Sequence, residues 1–363
     1  MSNTNETMKS KRVGKIVAIL SASLVGLSSA SLAAAVIGYD AFFPRYERPD
    51  YALYPGMYCY ERFAGSLPRQ TFSIPSDDVP LAAYYYPAEQ SKGLAVVVHG
   101  IHAGADDYLP LIEALVNGGY SVVAYDVTGN YSSGGENGVG MCQQLKDLDK
   151  VLCWLDENEP YAAMPKMLVG HSWGGYAVSS VLALHQEVKA CVCLAPMADG
   201  TTIMARKSQA YTMQPAELIQ PIFDVYQKYL FGDYTQYNAV VGINSTDIPV
   251  LIAQGKDDTV ITPEEDSITA YLDQITNPNV QVYYGEGLQG THLGIWHSVE
   301  AEQYRLQVEQ QLQALEEQNG RPLTHAQKAA FYETVDHRLY SDVNPQLMEL
   351  IFKTFEKGLE DGK

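Results

Sequence analysis

From residue 70 onward, short apolar runs alternate with segments of helical periodicity, and this alternation restricts the fold more than any other feature of the sequence. The central runs, such as "LAVVV" and "SVVAY", are continuous and rich in valine, which is typical of strands that are buried on both faces. The segments between them repeat apolar residues every three or four positions, as helices do. Alternating strands and helices predict an α/β fold with a mostly parallel sheet and helices on both faces.

The predicted main domain covers residues 70–363 and contains two departures from this alternation. Residues 197–247 carry few strand signals and are predicted to form a small cap above the carboxyl ends of the strands, where ligands bind in such sheets. Residues 298–335 are long, charged and helical, and we interpret them as a helical extension. The amphipathic segment that follows is predicted to be the closing helix on the sheet.

One connection between a predicted strand and a predicted helix reads "GHSWG", residues 170–174, and matches the pattern G-x-S-x-G. The pattern is short, but a strand before it, a sharp turn and a helix after it are the context in which such a serine is a nucleophile. The turn would lift the Ser172 hydroxyl clear of the sheet, and the amides that begin the helix would face a negative charge beside it. The alternative interpretation is an ordinary strand-to-helix connection.

A serine hydroxyl needs a base that takes its proton, and the base needs a third group that orients it. Two loops that follow later predicted strands contain suitable residues. The first, "GKDDTVI", contains Asp257 and Asp258, and the second, "GTHLG", contains His292. We therefore predict Ser172 as the nucleophile, Asp258 as the orienting acid and His292 as the base.

Three alternatives to these assignments stay open in the sequence. Asp257 lies in the same loop as Asp258, although the spacing after the preceding glycine favours Asp258. Asp199 follows another predicted strand and is a further candidate acid. His297 is close to His292 in the chain, but we interpret it as the start of the following helix.

With these residues identified, the sequence resembles the α/β-hydrolases, and in detail the membrane-tethered bacterial members grouped with the monoglyceride lipase and serine aminopeptidase type. The resemblance covers residues 71–298 and rests on "VVVHGIHAGADDY", "YDVTGNYSSGG", "VGHSWGGYA", "GKDDTVI" and "GTHLG". It implies an oxyanion hole formed by the backbone amides of Ile101 and Trp173, with His102 at the mouth of the site. The expected chemistry needs no metal and no cofactor.

One loop departs from the pattern of these relatives. They often carry an arginine after the fourth strand, in the form D-x-R-G-x-G-x-S, whereas this chain reads "DVTGNYS" over residues 126–132. The missing arginine does not affect the predicted fold or the predicted catalytic residues. It does prevent the loop conformation and the substrate contacts of the relatives from being transferred to this chain.

The N-terminal part of the sequence reads as a membrane anchor. Residues 16–39 contain no charged side chain, and a helix of that length would span about 36 Å, enough to cross a bilayer core. Because four basic residues precede this run, residues 1–15 are predicted to stay in the cytoplasm and the main domain to lie outside. The alternative is a secretory signal that is removed near residues 33–35. Residues 40–69, rich in tyrosine and proline, are predicted to be a linker arm.

The balance of charge excludes one class of partner. The chain has 43 acidic and 24 basic residues and a formal charge of −19, so it repels phosphate backbones and nucleic acid is excluded. Its five cysteines do not suggest a disulfide framework. Cys191 and Cys193 lie in a predicted buried strand, where we interpret them as core residues rather than as a metal or redox site.

These features together predict a serine hydrolase on the outer face of a membrane, or a secreted enzyme if the signal is removed. The favoured substrate is a small carboxylic ester, cleaved through an acyl-enzyme by a carboxylesterase or lipase-like reaction. A short peptide or amide, as for a serine peptidase of the aminopeptidase type, is the second candidate. A non-catalytic binding protein with the α/β-hydrolase fold is the alternative from a different class.

Overall fold

The structure, a computed structural model, describes residues 36–63 and 65–360. The predicted cytoplasmic segment 1–15 and most of the predicted anchor 16–39 therefore lie outside the described residues. Within the described ranges, no helix combines the length and the apolar character needed to cross a membrane.

A single sheet forms the centre of the described chain, and its strands are β1 (Gln70–Ser76), β2 (Val79–Tyr86), β3 (Leu94–Val98), β4 (Ser121–Tyr125), β5 (Lys166–His171), β6 (Ala190–Leu194), β7 (Val250–Gly255) and β8 (Val280–Gly285). The strand order is β1-β2-β4-β3-β5-β6-β7-β8. β2 pairs antiparallel with β1 and β4, and every other neighbouring pair is parallel. The mostly parallel sheet predicted from the sequence is confirmed.

Helices connect the strands, and their bounds are α1 (Leu109–Asn117), α2 (Gln143–Glu157), α3 (Trp173–Ser180), α4 (Gly200–Thr212), α5 (Ala216–Phe231), α6 (Ala239–Asn244), α7 (Val299–Asn319), α8 (His325–Tyr332), α9 (His337–Tyr340) and α10 (Pro345–Glu360). Residues 36–42 are also helical. The described chain therefore alternates strands and helices from β3 to β7.

The alternation of side chains along the central strands builds two core layers. In β3, Val96 and Val98 join one layer and Ala95 and Val97 join the other, because neighbouring residues of a strand face opposite sides of the sheet. Helices α2 and α3 cover the first face, and α1 and α10 cover the second. Every residue of β3 is buried, which explains why this strand reads as one continuous apolar run.

The predicted cap, residues 197–247, contains α4, α5 and α6. Its inner side chains, including Phe223, join the core layer of α2 and α3. The outer face of α5 is also apolar, since Leu218, Val225 and Tyr229 are 63%, 73% and 83% exposed. These three positions lie within about 40° of one another around the helix axis. They form one exposed row, which we call the cap stripe.

Residues 298–335, the predicted helical extension, form α7 and α8. Ser298 caps the first of these helices by accepting a hydrogen bond from the Ala301 amide. Val308 and Tyr332 pack with Val335 in a small apolar cluster of their own, separate from the two layers on the sheet. The extension therefore forms a third layer at the side of the His292 loop rather than a continuation of the main core.

The segment that precedes β1 packs closely on the domain, and we call residues 39–63 the arm. Tyr39 and Phe43 are buried in the core layer of α2 and α3, whereas Met57 and Phe63 are buried in the layer of α1 and α10. The arm therefore passes from one face of the sheet to the other. It does so past the carboxyl ends of the strands, where it contacts the loops after β3 and β4.

Candidate active site

The predicted nucleophile Ser172 lies on the turn between β5 and α3. Its φ of 57° and ψ of −114° form a conformation that non-glycine residues adopt rarely, at a cost of roughly 1–3 kcal/mol. The flanking glycines make the turn possible. A Cβ at Gly170 would lie 2.2 Å from the Gly174 carbonyl oxygen, and a Cβ at Gly174 would lie 2.1 Å from the Val98 carbonyl oxygen. The glycines of the motif are therefore required by the close approach of backbone atoms.

The predicted acid and base are joined directly. His292 Nδ1 lies 2.7 Å from Asp258 Oδ2, and Asp258 Oδ1 accepts hydrogen bonds from the amides of Val260 and Ile261 at 2.8 and 2.9 Å. Burial opposes ionisation of this carboxyl, but the hydrogen bond and charge of His292, with the two amides, outweigh burial and lower the pKa of Asp258. An ionised Asp258 holds the Nδ1–H of the imidazole, which leaves Nε2 as the proton acceptor.

The alternative acids and the alternative base occupy other environments. Asp257 is exposed, whereas Asp258 is buried. Asp199 is the N-cap of α4 and accepts hydrogen bonds from two amides of that helix. His297 is completely buried and contacts charged side chains of α7. Of the candidates considered, Asp258 and His292 are the pair that the structure joins.

His292 reaches the turn that carries the nucleophile without bonding to Ser172. The ring centroids of His292 and His171 lie 4.7 Å apart, and His171 immediately precedes Ser172. Among the described residues, no hydrogen bond joins the Ser172 hydroxyl to the imidazole of His292. Catalytic hydrogen bonds of this kind are commonly long in the absence of substrate and shorten when substrate binds.

The two predicted oxyanion donors are the backbone amides of Ile101 and Trp173, and the peptide that contains the first of them is held in place by His99. His99 Nδ1–H donates to the Gly100 carbonyl at 2.7 Å, and His99 Nε2 accepts from the Val127 amide at 3.0 Å. Because the C=O and N–H of a trans peptide point in opposite directions, the fixed Gly100 carbonyl directs the Ile101 amide to the other side. Neither the Ile101 amide nor the Trp173 amide donates a hydrogen bond to any residue that the structure describes.

A buried hydrogen-bond chain below these amides was not identified from the sequence. The Gly100 amide donates to Tyr108 Oη at 2.9 Å, and the Tyr108 hydroxyl lies 2.7 Å from His171 Nδ1. His171 Nε2 lies 3.1 Å from the His292 carbonyl oxygen. Burial, followed by the charge of His292, lowers the pKa of His171 to about 3, so a neutral His171 accepts from Tyr108 and donates to His292. Tyr108 is the last residue of the motif "VVVHGIHAGADDY", but nothing in that motif indicates this role.

The loop that lacks the arginine of its relatives is held by an arginine from the arm. Arg45 Nη1 donates to the carbonyl oxygens of Ser133 and Gly135 at 3.0 and 2.9 Å, and Nη2 donates to that of Tyr131 at 2.8 Å. Three backbone carbonyls of the loop after β4 are thus satisfied by one side chain. The arm therefore adds three hydrogen bonds to a loop that also has backbone hydrogen bonds of its own, such as the one from the Gly129 amide to the Gly134 carbonyl.

A cavity of about 840 Å³ adjoins the histidine loop. His292, Leu293 and Val260 line it on the side of the sheet, and Arg305 and Leu306 line it on the side of α7. Apolar side chains mixed with a few charged groups are typical of sites for small molecules. The helical extension thus contributes one wall of the space beside the predicted base.

Among the residues that the structure describes, two groups of side chains have ligand atoms close enough together to hold a metal ion, and both contain His185. They are Asp149 with Cys153, and Asp156 with Glu187. The His185 nitrogens contact carboxylates of Glu187 and Asp149 at 2.7 and 3.0 Å. Burial opposes the charge on this imidazole, but these two contacts outweigh burial and raise the pKa of His185. These contacts pair the imidazole with the two carboxylates.

Comparisons with known proteins agree with this architecture. Residues 89–247 match the family described as serine aminopeptidase, S33. The esterase Pf2001 of Pyrococcus furiosus is 22% identical in one crystal form, with 70% of this chain and 94% of that chain covered and a TM-score of 0.52. A second crystal form of that esterase is 19% identical, with 76% and 95% of the two chains covered and a TM-score of 0.51. No curated protein sequence matches this chain.

At these identities the structural likeness establishes the fold. The covered part of the chain has the α/β-hydrolase arrangement, as the sequence motifs indicate. The roles of individual residues rest on the geometry described above and not on the likeness.

Proposed function

The chain belongs to the α/β-hydrolase superfamily, and on this premise we propose that it is a serine hydrolase that cleaves a carboxylic ester through an acyl-enzyme. The observation that carries the proposal is the hydrogen bond between His292 Nδ1 and Asp258 Oδ2, at the sheet edge where Ser172 occupies its strained turn. A serine, an imidazole and an oriented carboxylate are the groups that acyl transfer requires.

In the proposed reaction, His292 Nε2 takes the proton of the Ser172 hydroxyl while Oγ attacks the ester carbonyl carbon. The tetrahedral intermediate collapses, the alcohol leaves with the proton from His292, and the acyl group stays on Ser172. His292 then takes a proton from water, whose oxygen attacks the acyl carbon. Collapse of the second intermediate releases the carboxylic acid and returns the proton to Ser172.

The amides of Ile101 and Trp173 would stabilise the negative oxygen of both intermediates. They are supported as donors because neither has a partner among the described residues. Donors that are already oriented toward the developing charge stabilise the transition state more than the ground state. The N-terminal end of α3 adds its dipole to the same charge.

A carboxylic ester is the proposed substrate class, and a short peptide or amide is the second candidate within the same chemistry. The cavity beside His292 is lined by apolar and charged side chains, but Ser172 is not among its lining residues, so its lining does not choose between the two classes. The match to a family described as serine aminopeptidase supports the second candidate. Parallel assays with p-nitrophenyl esters and amino-acid p-nitroanilides separate the two classes.

Labelling with a fluorophosphonate tests the proposal, because this reagent reacts with a serine that an adjacent base activates. The full chain is expected to be labelled, and Ser172→Ala is expected to abolish labelling. Ser66→Ala, which changes an exposed serine outside the site, serves as the matched control and should label like the wild type. A folded wild-type protein that is not labelled and turns over neither substrate class would favour the non-catalytic binding protein.

We also propose that residues 16–39 hold the enzyme at the outer face of a membrane. The uncharged run supports this proposal, and so does the position of its end, since Tyr39 packs against Phe223 of α5 with ring centroids 5.4 Å apart. The cap stripe lies on the same helix. A bilayer surface is the occupant we assign to the stripe, because the stripe is apolar and exposed and lies on the helix against which the end of the uncharged run packs.

Fractionation of cells that express the full chain tests the anchor. The protein is expected to sediment with membranes and to resist extraction at alkaline pH, as proteins with a spanning helix do. A soluble protein whose N-terminus lies near residue 36 would instead support the secreted alternative.

A further inference from the structure

We propose that the arm shapes the oxyanion hole, and that His102 is the positioning residue through which it acts. This inference rests on the proposed serine hydrolase activity. It assigns a role in the reaction to a segment that has no catalytic motif and that precedes the first strand of the sheet. In this proposal His102 contacts the arm and does not bind the substrate.

The first observation is backbone strain beside the predicted donor. His102 follows Ile101 directly and has a φ of 53°, which a non-glycine residue keeps only when its surroundings hold it there. The preceding Gly100 is fixed from below by His99 and Tyr108. The direction of the Ile101 amide therefore depends on what holds the loop on its other side.

The arm holds that other side through the His102 ring. His102 Nε2 lies 3.0 Å from the carbonyl oxygen of Phe42, and the ring stacks on Tyr46 with centroids 5.3 Å apart and an interplanar angle of 27°. Tyr46 is itself fixed by its backbone, since its amide donates to Gly129 and its carbonyl accepts from Tyr131. The partly exposed stack on His102 is therefore made by a residue whose backbone is held by two hydrogen bonds.

The arm also reaches the second predicted donor. The ring of Phe43 packs against Trp173 with centroids 5.9 Å apart. Tyr39 Oη accepts from the Met141 amide at 2.7 Å, and the Met141 carbonyl accepts from the Trp173 indole at 2.7 Å. One short segment thus contacts His102, beside Ile101, and Trp173, the residues associated with the two predicted donors.

Two ion-pair and hydrogen-bond clusters fix the arm beyond these contacts. Arg45 binds three carbonyls of the loop after β4, as described above. Arg48 Nη1 lies 2.8 Å from the fully buried carboxylate of Asp106, at the start of the helical region after β3. Because the arm is bonded to the loops after β3 and β4, movement of the arm would move the oxyanion loop with it.

The test measures kcat and KM of full-length variants for two esters that differ in their acyl groups. His102→Gly accepts the positive φ without strain but loses the grip of the arm. Tyr46→Ala removes the same contact from the arm side. Both are expected to lower kcat for both esters by at least about tenfold, since loss of one oxyanion donor costs roughly 10²–10³-fold, with KM changed less than about twofold.

Three further variants sharpen the test. Tyr46→Phe keeps the stacked ring and is expected to restore most of kcat. Tyr54→Ala removes another tyrosine of the arm, 37% exposed and outside this contact, and should leave kcat unchanged. The double variant His102→Gly with Tyr46→Ala should be no worse than either single variant, because both remove one interaction.

The outcomes separate this inference from the proposed function. Wild-type kcat in His102→Gly overturns the inference, and so does an effect that appears only in KM for one ester, because that would make His102 a substrate contact. In either case fluorophosphonate labelling of Ser172 still supports the hydrolase. Absence of labelling in the wild type would instead overturn the proposed function, and this inference with it.

Discussion

The two halves of the candidate site are supported in different ways. Asp258 and His292 lie on the loops after β7 and β8, and the carboxylate of Asp258 is held by amides of its own loop. The amide of Ile101 lies beside His102, and the ring of His102 is held by the arm, more than fifty positions earlier in the chain. The acid–base half is therefore built from local contacts, whereas the oxyanion half depends on a distant segment.

This difference indicates which substitutions would affect each half of the candidate site. Local contacts of the acid–base half are specified by the same short motifs that carry its residues. The proposed oxyanion half uses backbone amides, which almost any residue type can supply, and we propose that it takes part of its rigidity from the arm. A change in the arm is therefore expected to affect catalysis without touching a reacting group.

The largest expected effect concerns the acid–base half alone. Asp258→Asn removes the charge that orients His292 and stabilises its protonated form, and we expect kcat to fall by roughly 10⁴-fold. Asp257→Asn is the matched control, since the neighbouring carboxylate is exposed, and it should keep wild-type kcat. Steady-state assays on the favoured ester, with melting temperatures alongside, make the comparison. Equal losses in the two variants would contradict the assignment of the acid.

The second effect concerns the anchoring of the oxyanion half. Phe43 is 3% exposed and packs against Trp173, so Phe43→Ala is expected to lower the free energy of unfolding by about 3–5 kcal/mol. Tyr54→Ala, which truncates an exposed arm residue, should cost less than about 1 kcal/mol. Urea titrations of both variants measure these values. A loss below about 1 kcal/mol for Phe43→Ala would show that the arm is not firmly packed.

The third expected effect is a dependence of the free energy of unfolding on pH. It comes from His99, the buried residue that holds the Gly100 carbonyl. Burial lowers the pKa of His99 to about 4, whereas in the unfolded chain this group titrates near 6.5. The unfolded state therefore binds more protons between pH 6.5 and 4, and the free energy of unfolding falls as the pH decreases through this window. The contribution of His99 between pH 6.5 and 4.5 is about 2 kcal/mol.

Replacement of this histidine isolates its contribution from that of other groups. In His99→Gln the fall in stability between pH 6.5 and 4.5 should be smaller than in the wild type by about 2 kcal/mol. Urea titrations at several pH values provide the measurement. An identical pH dependence in the two proteins would mean that folding does not lower the pKa of His99.

The smallest expected effect concerns the connection between the halves. Tyr108→Phe removes the hydroxyl that accepts from Gly100 and bonds to His171, and it should destabilise the protein by about 1 kcal/mol. Because the hydrogen bonds continue from Tyr108 through His171 to the His292 carbonyl, we also expect a modest decrease in kcat. Tyr85→Phe, which removes a buried hydroxyl with a longer hydrogen bond to Ser121, is the control and should retain kcat.

The sequence predicts those parts of the molecule whose cause is local. Buried strands such as β3 show themselves as continuous apolar runs because both of their faces are covered. Gly170 and Gly174 indicate the tight turn around Ser172, because a side chain at either position would clash with backbone atoms. The pairing of Asp258 with His292 follows from two loops that end neighbouring parallel strands.

The parts that the sequence does not predict are held by contacts between distant segments. Arg45 binds backbone carbonyls, and a carbonyl offers the same acceptor whatever the residue. Tyr108 and His171 meet only after β3 and β5 have paired. The arm has no periodicity, because it follows the irregular surface of the loops rather than one face of a helix or sheet.

The burial of Tyr39 has a consequence for how freely the enzyme can move. Tyr39 is the last residue of the uncharged run, yet it is completely buried in the domain. If residues 16–39 are the proposed membrane anchor, no flexible linker separates Tyr39 from the domain, and this would restrict the height and tilt of the domain. An enzyme held in this way would reach only those substrate molecules that lie at a fixed distance from the membrane surface.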